Sequence, residues 1–310
     1  MPELTHLITA AEEGRLLRRI ALSTLKMSQT QFKRAKFQGA LLLDGKPVHA
    51  NERVRAGQFL AVRLPKESRP RIEPYPLPLS VPYSDEGLFV IDKPAPLPSV
   101  PSRQGGFTLE NALYSHLGCP ADFVYHPVNR LDKGTSGLMV AALTPHVQQR
   151  LQAALHTEDF LREYLAVCEG APRSQEGVIR QPIAKAAGAS IRRRVTEQGK
   201  PAVTHYRVLE QARGRSLLSL LLETGRTHQI RVHLAWLGCP VVGDFLYGRE
   251  DEALPGRFAL HSHRLTFISP VTGEQVRAES PLPKELVSLI HSGPAPLVSA
   301  PWLCYHRFSK

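Results

Sequence analysis

The chain has 310 residues, 42% hydrophobic and 22% charged, a makeup that suits a folded soluble protein with core enough for one mid-sized and one small domain. Its 39 Lys and Arg against 28 Asp and Glu leave a net charge of +11, which favours polyanionic partners. Cys119, Cys168, Cys239 and Cys304 stand far apart with no Cys-x-x-Cys pair, which argues against a zinc knuckle or a disulfide framework. With no basic-then-apolar leader and no apolar run long enough to span a bilayer, a cytoplasmic location without membrane contact is expected.

Residues 1–65 read as a compact unit. Gly14–Leu22 has apolar residues at helical spacing with arginines opposite, and Ser28–Phe37 is a second amphipathic stretch that ends before Gly39. Ala40-Leu41-Leu42-Leu43 leads to an Asp44-Gly45 turn, a strong hairpin signal, and Gln58–Leu64 closes the unit as a strand. Eleven Lys and Arg against five Asp and Glu give this fifth of the chain more than half of the total charge excess. Lys33, Arg34 and Lys36, on the second helix, are candidates for phosphate contact, the alternative being a solvated helix face. The helix, helix, strand, turn, strand order resembles the small RNA-binding domain named after the fourth protein of the small ribosomal subunit.

Prolines recur over residues 66–82 and predict a stiff linker without helical or strand periodicity. The main domain is expected over 83–290, opening with a buried strand in Gly87–Pro94, and residues 291–310 form a tail with no assignable structure. In Asn129-Arg130-Leu131-Asp132-Lys133-Gly134-Thr135-Ser136-Gly137, a carboxylate between two cations precedes an apolar strand, Leu138–Leu143. Flanking positive charge keeps Asp132 ionised, and an ionised Asp on a stiff turn can act as nucleophile or base. By spacing alone the commoner reading is a solvated surface turn.

Thr144-Pro145 starts a helix with Val147, Leu151 and Leu155 on one face, and Leu161–Cys168 reads as a strand carrying Tyr164. A basic stretch, Arg192-Arg193-Arg194, reads as a loop and precedes a strand near Pro201–Val208. Leu217–Leu222 is a further strand; Thr227 can then cap a helix running from His228 to Leu237. His228 and Arg231 share one face near its start, and a cation there opposes the helix dipole, so Arg231 needs a partner elsewhere. The spacings of His228 with His233 and of His261 with His263 lack the further ligands that a metal site requires.

Three strings in this order resemble the RNA pseudouridine synthases of the RluA type: the strand ending Asp92-Lys93-Pro94, the Arg-Leu-Asp-x-x-Thr-Ser-Gly run around Asp132, and Gly225-Arg226-Thr227-His228-Gln229-Ile230-Arg231. Asn129 stands where that family has His. The resemblance implies an α+β fold, a mixed, largely antiparallel sheet with flanking helices and a central cleft. It implies Asp132 as nucleophile, Arg231 as its partner, and Tyr164 stacked on the target base. It also places Arg130, Arg226, His228 and the segment Arg192, Arg193, Arg194 against RNA. The implied reaction turns a uridine of ribosomal or transfer RNA into pseudouridine, with no cofactor or metal, by a protein expected to be a monomer. A non-catalytic RNA-binding or ribosome-assembly factor is the alternative that Asn129 keeps open; a glycosidase or nuclease would need a second carboxylate or a metal set.

Overall fold

The computed structural model describes residues 3–63, 72–101, 105–188 and 191–291. Most of the expected tail, and residues 66–71 of the expected linker, lie outside these ranges.

The N-terminal unit contains β1 (Glu3–Leu7), α1 (Leu17–Ser23), α2 (Gln29–Phe37), β2 (Leu41–Leu43), β3 (Lys46–Pro47) and β4 (Phe59–Arg63). Its strands form an antiparallel sheet in the order β1-β4-β2-β3, and Leu17, Ile20, Phe32, Leu41, Leu60 and Val62 belong to a core of its own. Strand β1 was not expected: its residues alternate only between exposed and half-buried, so backbone pairing to β4 holds it, with Leu4 alone packing on the core. Ser28 and Gln31 exchange side-chain-to-backbone hydrogen bonds of 3.0 and 2.8 Å, a capping box that starts α2. Asp44 and Gly45 both adopt positive φ, as an Asp-Gly hairpin turn requires.

The main body contains β5 (Ser80–Ser84), β6 (Leu88–Lys93), α3 (Leu109–His116), β7 (His126–Pro127), β8 (Ser136–Ala142), α4 (Pro145–Ala154), β9 (Phe160–Glu169), β10 (Glu176–Ile179), β11 (Ile183–Lys185), β12 (Arg193–Val195), β13 (Thr204–Ala212), β14 (Arg215–Leu222), α5 (Gln229–Trp236), β15 (Leu260–Ile268), β16 (Gln275–Glu279) and α6 (Lys284–Val287). A ten-stranded sheet runs β10-β13-β14-β9-β15-β8-β6-β5, with β16 on β15 and β7 on β8. Its pairs are antiparallel except β8 with β15, so the α+β, mixed and largely antiparallel architecture holds.

Two expectations change here. The Pro-rich stretch does not remain a stiff linker up to residue 82: Tyr75 stacks on Phe107 at 4.6 Å, Leu77 and Leu79 pack on the main core, and β5 already begins at Ser80. Pro82 is tolerated because it falls in an edge strand, within a register shift. The basic stretch is also more than a loop, since β12 pairs with β11 in a separate hairpin.

The parallel pairing of β8 with β15 depends on Gly137. Its φ is +102°, and a Cβ there would lie 2.2 Å from the Ser262 carbonyl oxygen. No other residue type permits this approach, which fixes the start of β8 directly after the Asp132 turn.

In the N-terminal unit, the Glu12 carboxylate accepts hydrogen bonds from His6 at 2.8 Å and from the Thr9 N–H, Thr9 hydroxyl and Thr24 hydroxyl at 3.0 Å each. These bonds, that of His6 foremost, hold its pKa down to about 2. A lowered folded pKa means that the stabilisation is complete above about pH 4.5 and is lost as pH falls toward about 2. Glu12→Gln should therefore cost this unit on the order of 1–2 kcal/mol at pH 7. Hydrogen exchange of residues 3–63 under mild urea should show the wild-type advantage at pH 7 and its narrowing below about pH 4.5.

Candidate active site

A cleft of about 500 Å³ opens over the centre of the large sheet, and Asp132, Tyr164, His228 and Arg231 all line it. Asp132 lies in the turn between β7 and β8. That turn is pinned from below by the segment after β6. The Ser99 hydroxyl donates to Leu131 O at 2.7 Å and accepts from Leu131 N at 3.2 Å, and Leu97 N donates to Lys133 O at 3.0 Å. Lys93, fully buried, directs its ammonium at the carbonyls of Leu97 (2.8 Å), Pro94 (3.0 Å) and Lys133 (3.4 Å). Burial pushes Lys93 down to about 7, against the pull of Asp132. The Asp-Lys-Pro string thus acts as a fastener for the Asp132 turn.

Asn129 completes the fastening. Its Oδ1 accepts from Val140 N at 2.9 Å, tying the turn to β8, while its Nδ2 is buried without a partner among the described residues.

Arg231, on the first turn of α5, finds two carboxylates. Nη1 donates to Asp132 Oδ2 at 2.8 Å; Nε and Nη2 donate to the two oxygens of Asp244 at 2.7 and 2.8 Å. Asp244 is inaccessible to solvent and also accepts from the backbone N–H groups of Leu246 and Tyr247, so its charge is fully engaged. The Phe258 ring lies 4.0 Å and the Tyr247 ring 5.1 Å from the guanidinium carbon. Burial opposes the Arg231 charge, but Asp244 and Asp132 outweigh it and raise its pKa above the ordinary arginine value. The pair leaves the Asp132 side chain 29% exposed to the cleft, oriented yet reachable.

His228, not Thr227, is the N-cap of α5, with φ of 58° in the left-handed region. Gln229 imposes that turn. Its Oε1 accepts from Arg226 N and the Thr224 hydroxyl at 2.9 Å each, and its Nε2 donates to Val203 O and the Thr204 hydroxyl at 3.0 Å each. His228 Nε2 thereby stands 3.9 Å from Asp132, and Nδ1 lies 2.8 Å from the Tyr247 hydroxyl. Burial, opposed by Asp132 and reinforced by Arg231 and Arg193, holds His228 below the usual imidazole value.

Tyr164, on β9, is buried, and burial raises its pKa, so it presents a neutral phenol to the cleft. Arg130 is exposed on the cleft lining, and Arg226 lies at its edge with Nε on Pro201 O at 2.9 Å. The β11–β12 hairpin joins the site through Tyr247: Arg193 N donates to its hydroxyl at 2.8 Å, and the Arg192 guanidinium carbon lies 5.9 Å from its ring. Arg194 is exposed on the same strand. Lys33, Arg34 and Lys36 are exposed on α2 and do not line the cleft.

His233 is engaged at both nitrogens, by the Thr204 hydroxyl and by Gln181 O, each at 2.9 Å. Among the described residues no three His, Cys, Asp or Glu side chains converge as a metal set.

Sequence reasoning missed Asp244, Tyr247, the fastening role of Lys93, and Arg162 in the cleft wall. A carboxylate following the apolar run Pro240–Gly243 was the available signal for Asp244, since a charge embedded in a core sequence needs a buried partner.

Residues 87–236 match the family model described as RNA pseudouridylate synthase. The chain is 36% identical to a ribosomal large subunit pseudouridine synthase D of Vibrio cholerae, over 93% of this chain and 94% of the relative. It is 39% identical to a protein of the same name from Xanthomonas campestris, over 81% and 80%. Its fold matches a human RNA pseudouridylate synthase domain containing 1 structure with a TM-score of 0.56 and 26% identity, over 69% of this chain and 86% of that one. The chain belongs to the RNA pseudouridine synthases of the RluA type, enzymes that isomerise uridine in RNA to pseudouridine.

Removing Asp244 would leave Nε and Nη2 of Arg231 buried without their acceptors, with Asp132 as the one remaining counter-ion. Asp244→Ala should lower stability by about 3–5 kcal/mol. Urea denaturation of the purified variant checks this; a loss under about 1 kcal/mol would mean that the pair contributes little.

Proposed function

We propose that this enzyme modifies uridines of large-subunit ribosomal RNA, with Asp132 as the nucleophile. The observation that carries the reading is the chain Asp244–Arg231–Asp132, which ends in one partly exposed carboxylate on the floor of a cleft lined by cations. The names of the relatives supply the RNA class. The target base must leave its stack to reach Asp132. Asp132 attacks the ribose or the base, the glycosidic bond breaks, the uracil turns within the cleft, and its carbon 5 bonds to the sugar. The proton lost from carbon 5 balances the one gained at the released nitrogen, so no redox partner enters.

Each neighbour has a matching task. Arg231 orients the carboxylate with a rigid fork. Tyr164 offers a flat, neutral ring for stacking and a hydroxyl for proton transfer. His228, uncharged beside Asp132, is a further proton carrier or donor to the base. Arg130, Arg226 and the hairpin bearing Arg192, Arg193 and Arg194 hold the phosphates around the flipped nucleotide. Residues 3–63, with Lys33, Arg34 and Lys36 exposed on α2, add sequence-independent affinity from a separately cored unit.

Pseudouridine mapping of ribosomal RNA from cells lacking the protein tests this reading. One or more large-subunit sites should be lost and be restored by wild type but not by Asp132→Asn. In vitro, Asp132→Asn should lower turnover by at least about a thousandfold while RNA affinity changes only a few-fold. An unchanged map, or a working Asp132→Asn enzyme, would overturn the substrate or the nucleophile respectively.

A further inference from the structure

Among the buried arginines of the main body, Arg162 differs in what it faces. Arg231, Arg257 and Arg264 each reach a carboxylate: Asp132 and Asp244, Glu285, and Glu163 with Glu279. Arg162 is 4% exposed, and no carboxylate among the described residues pairs with it. Its Nη2 donates to Leu155 O at 3.0 Å, while its Nε is buried without an acceptor among the described residues. The fold thus holds a guanidinium without a counter-ion in the wall of the catalytic cleft. Such a group calls for an anion.

Four observations say where that anion would come from. Arg162 stands two residues before Tyr164 on β9, so both side chains leave the same face, about 6–7 Å apart along the strand. A nucleotide stacked on Tyr164 has its backbone within that span. Above the guanidinium lies Gly225, where a Cβ would come 3.0 Å from Arg162 Nη1 and 3.5 Å from His156 Cε1. The bare backbone keeps that approach open. Gly225 and Arg226 also border a second groove of about 460 Å³, lined by Lys185, Arg193 and Lys200. Of the residues lining the catalytic cleft, Asp132 is the one carboxylate, against Arg130, Lys133, Arg162, Arg226 and Arg231.

We propose that Arg162, under the open shelf at Gly225, binds a backbone phosphate of the RNA strand where it passes from the second groove into the catalytic cleft. This rests on the RNA substrate proposed above. The phosphate supplies the missing counter-ion and fixes the nucleotide whose base Tyr164 and Asp132 address. A uracil carbonyl is the competing ligand for the same N–H groups, and the two differ in charge.

Salt dependence separates them. Binding of the full-length protein to an unmodified large-subunit ribosomal RNA transcript is measured from low to moderate salt, without turnover. Arg162→Gln should bind several-fold more weakly and reduce the slope of log affinity against log salt by roughly 0.7–0.9, the share of one phosphate contact. Arg162→Lys should keep the slope. Gly225→Ala, which narrows the approach while leaving the charge, should also weaken binding and reduce the slope, and it stands in if Arg162→Gln does not fold. A wild-type slope in a folded Arg162→Gln or in Gly225→Ala overturns the proposal even if turnover falls, because a contact to the neutral base carries no counterion release. Failure of wild type to make pseudouridine would sink the proposed function but would leave a lowered slope, and the phosphate site, standing.

Discussion

The site is organised by a single guanidinium held on two sides. Asp244 takes both Nε and Nη2 of Arg231 in a solvent-free pocket, and Asp132 takes the remaining Nη1 from the cleft. The asymmetry matters. A buried ion pair repays its desolvation only with complete hydrogen bonding, and Asp244 meets that condition with two backbone donors besides Arg231. With its orientation set from behind, Arg231 presents one N–H to a carboxylate that still faces solvent. Rigidity behind the proposed nucleophile and access in front of it come from the same contact.

The sheet brings these partners together. Asp132 and Arg231 are 99 residues apart and meet because β8 and β14, whose loops carry them, flank β9 and β15 in one sheet. Gly137 allows β15 to approach the start of β8 in parallel. Lys93, Ser99 and Asn129 clamp the Asp132 turn from the segments next to it. Gln229 then forces His228 into the left-handed cap that aims its ring at Asp132 and Tyr247. Every clamp is a buried polar group with few ways to be satisfied, so the geometry tolerates little drift.

Much of this was legible in the residues. Helical and strand periodicity located α2, α4, β8, β9 and β14 to within a few positions, because their apolar faces are buried against one core or the other. The misplaced cation at the start of α5 announced that Arg231 had a distant partner, although not which one. Asp244 stayed hidden because its one local signal, a carboxylate directly after the apolar run Pro240–Gly243, does not say which distant cation it meets. The Thr227 cap failed for a different reason: tertiary hydrogen bonds of Gln229 override the local capping preference. Strand β1 and the β11–β12 hairpin bury only one or two apolar side chains each, Leu4 in the first and Ile183 with Val195 in the second, too few to leave a periodic trace in sequence.

The central claim is that the fork of Arg231, and not merely its charge, prepares Asp132. Arg231→Lys keeps the charge but cannot engage both Asp244 oxygens and Asp132 with one ammonium. The single-turnover rate of pseudouridine formation by this variant, with the fold verified by urea denaturation, tests the claim most directly. The account predicts a fall of at least about a hundredfold, with RNA affinity changed only a few-fold. A rate near that of wild type would show that positive charge alone suffices, and would contradict the account.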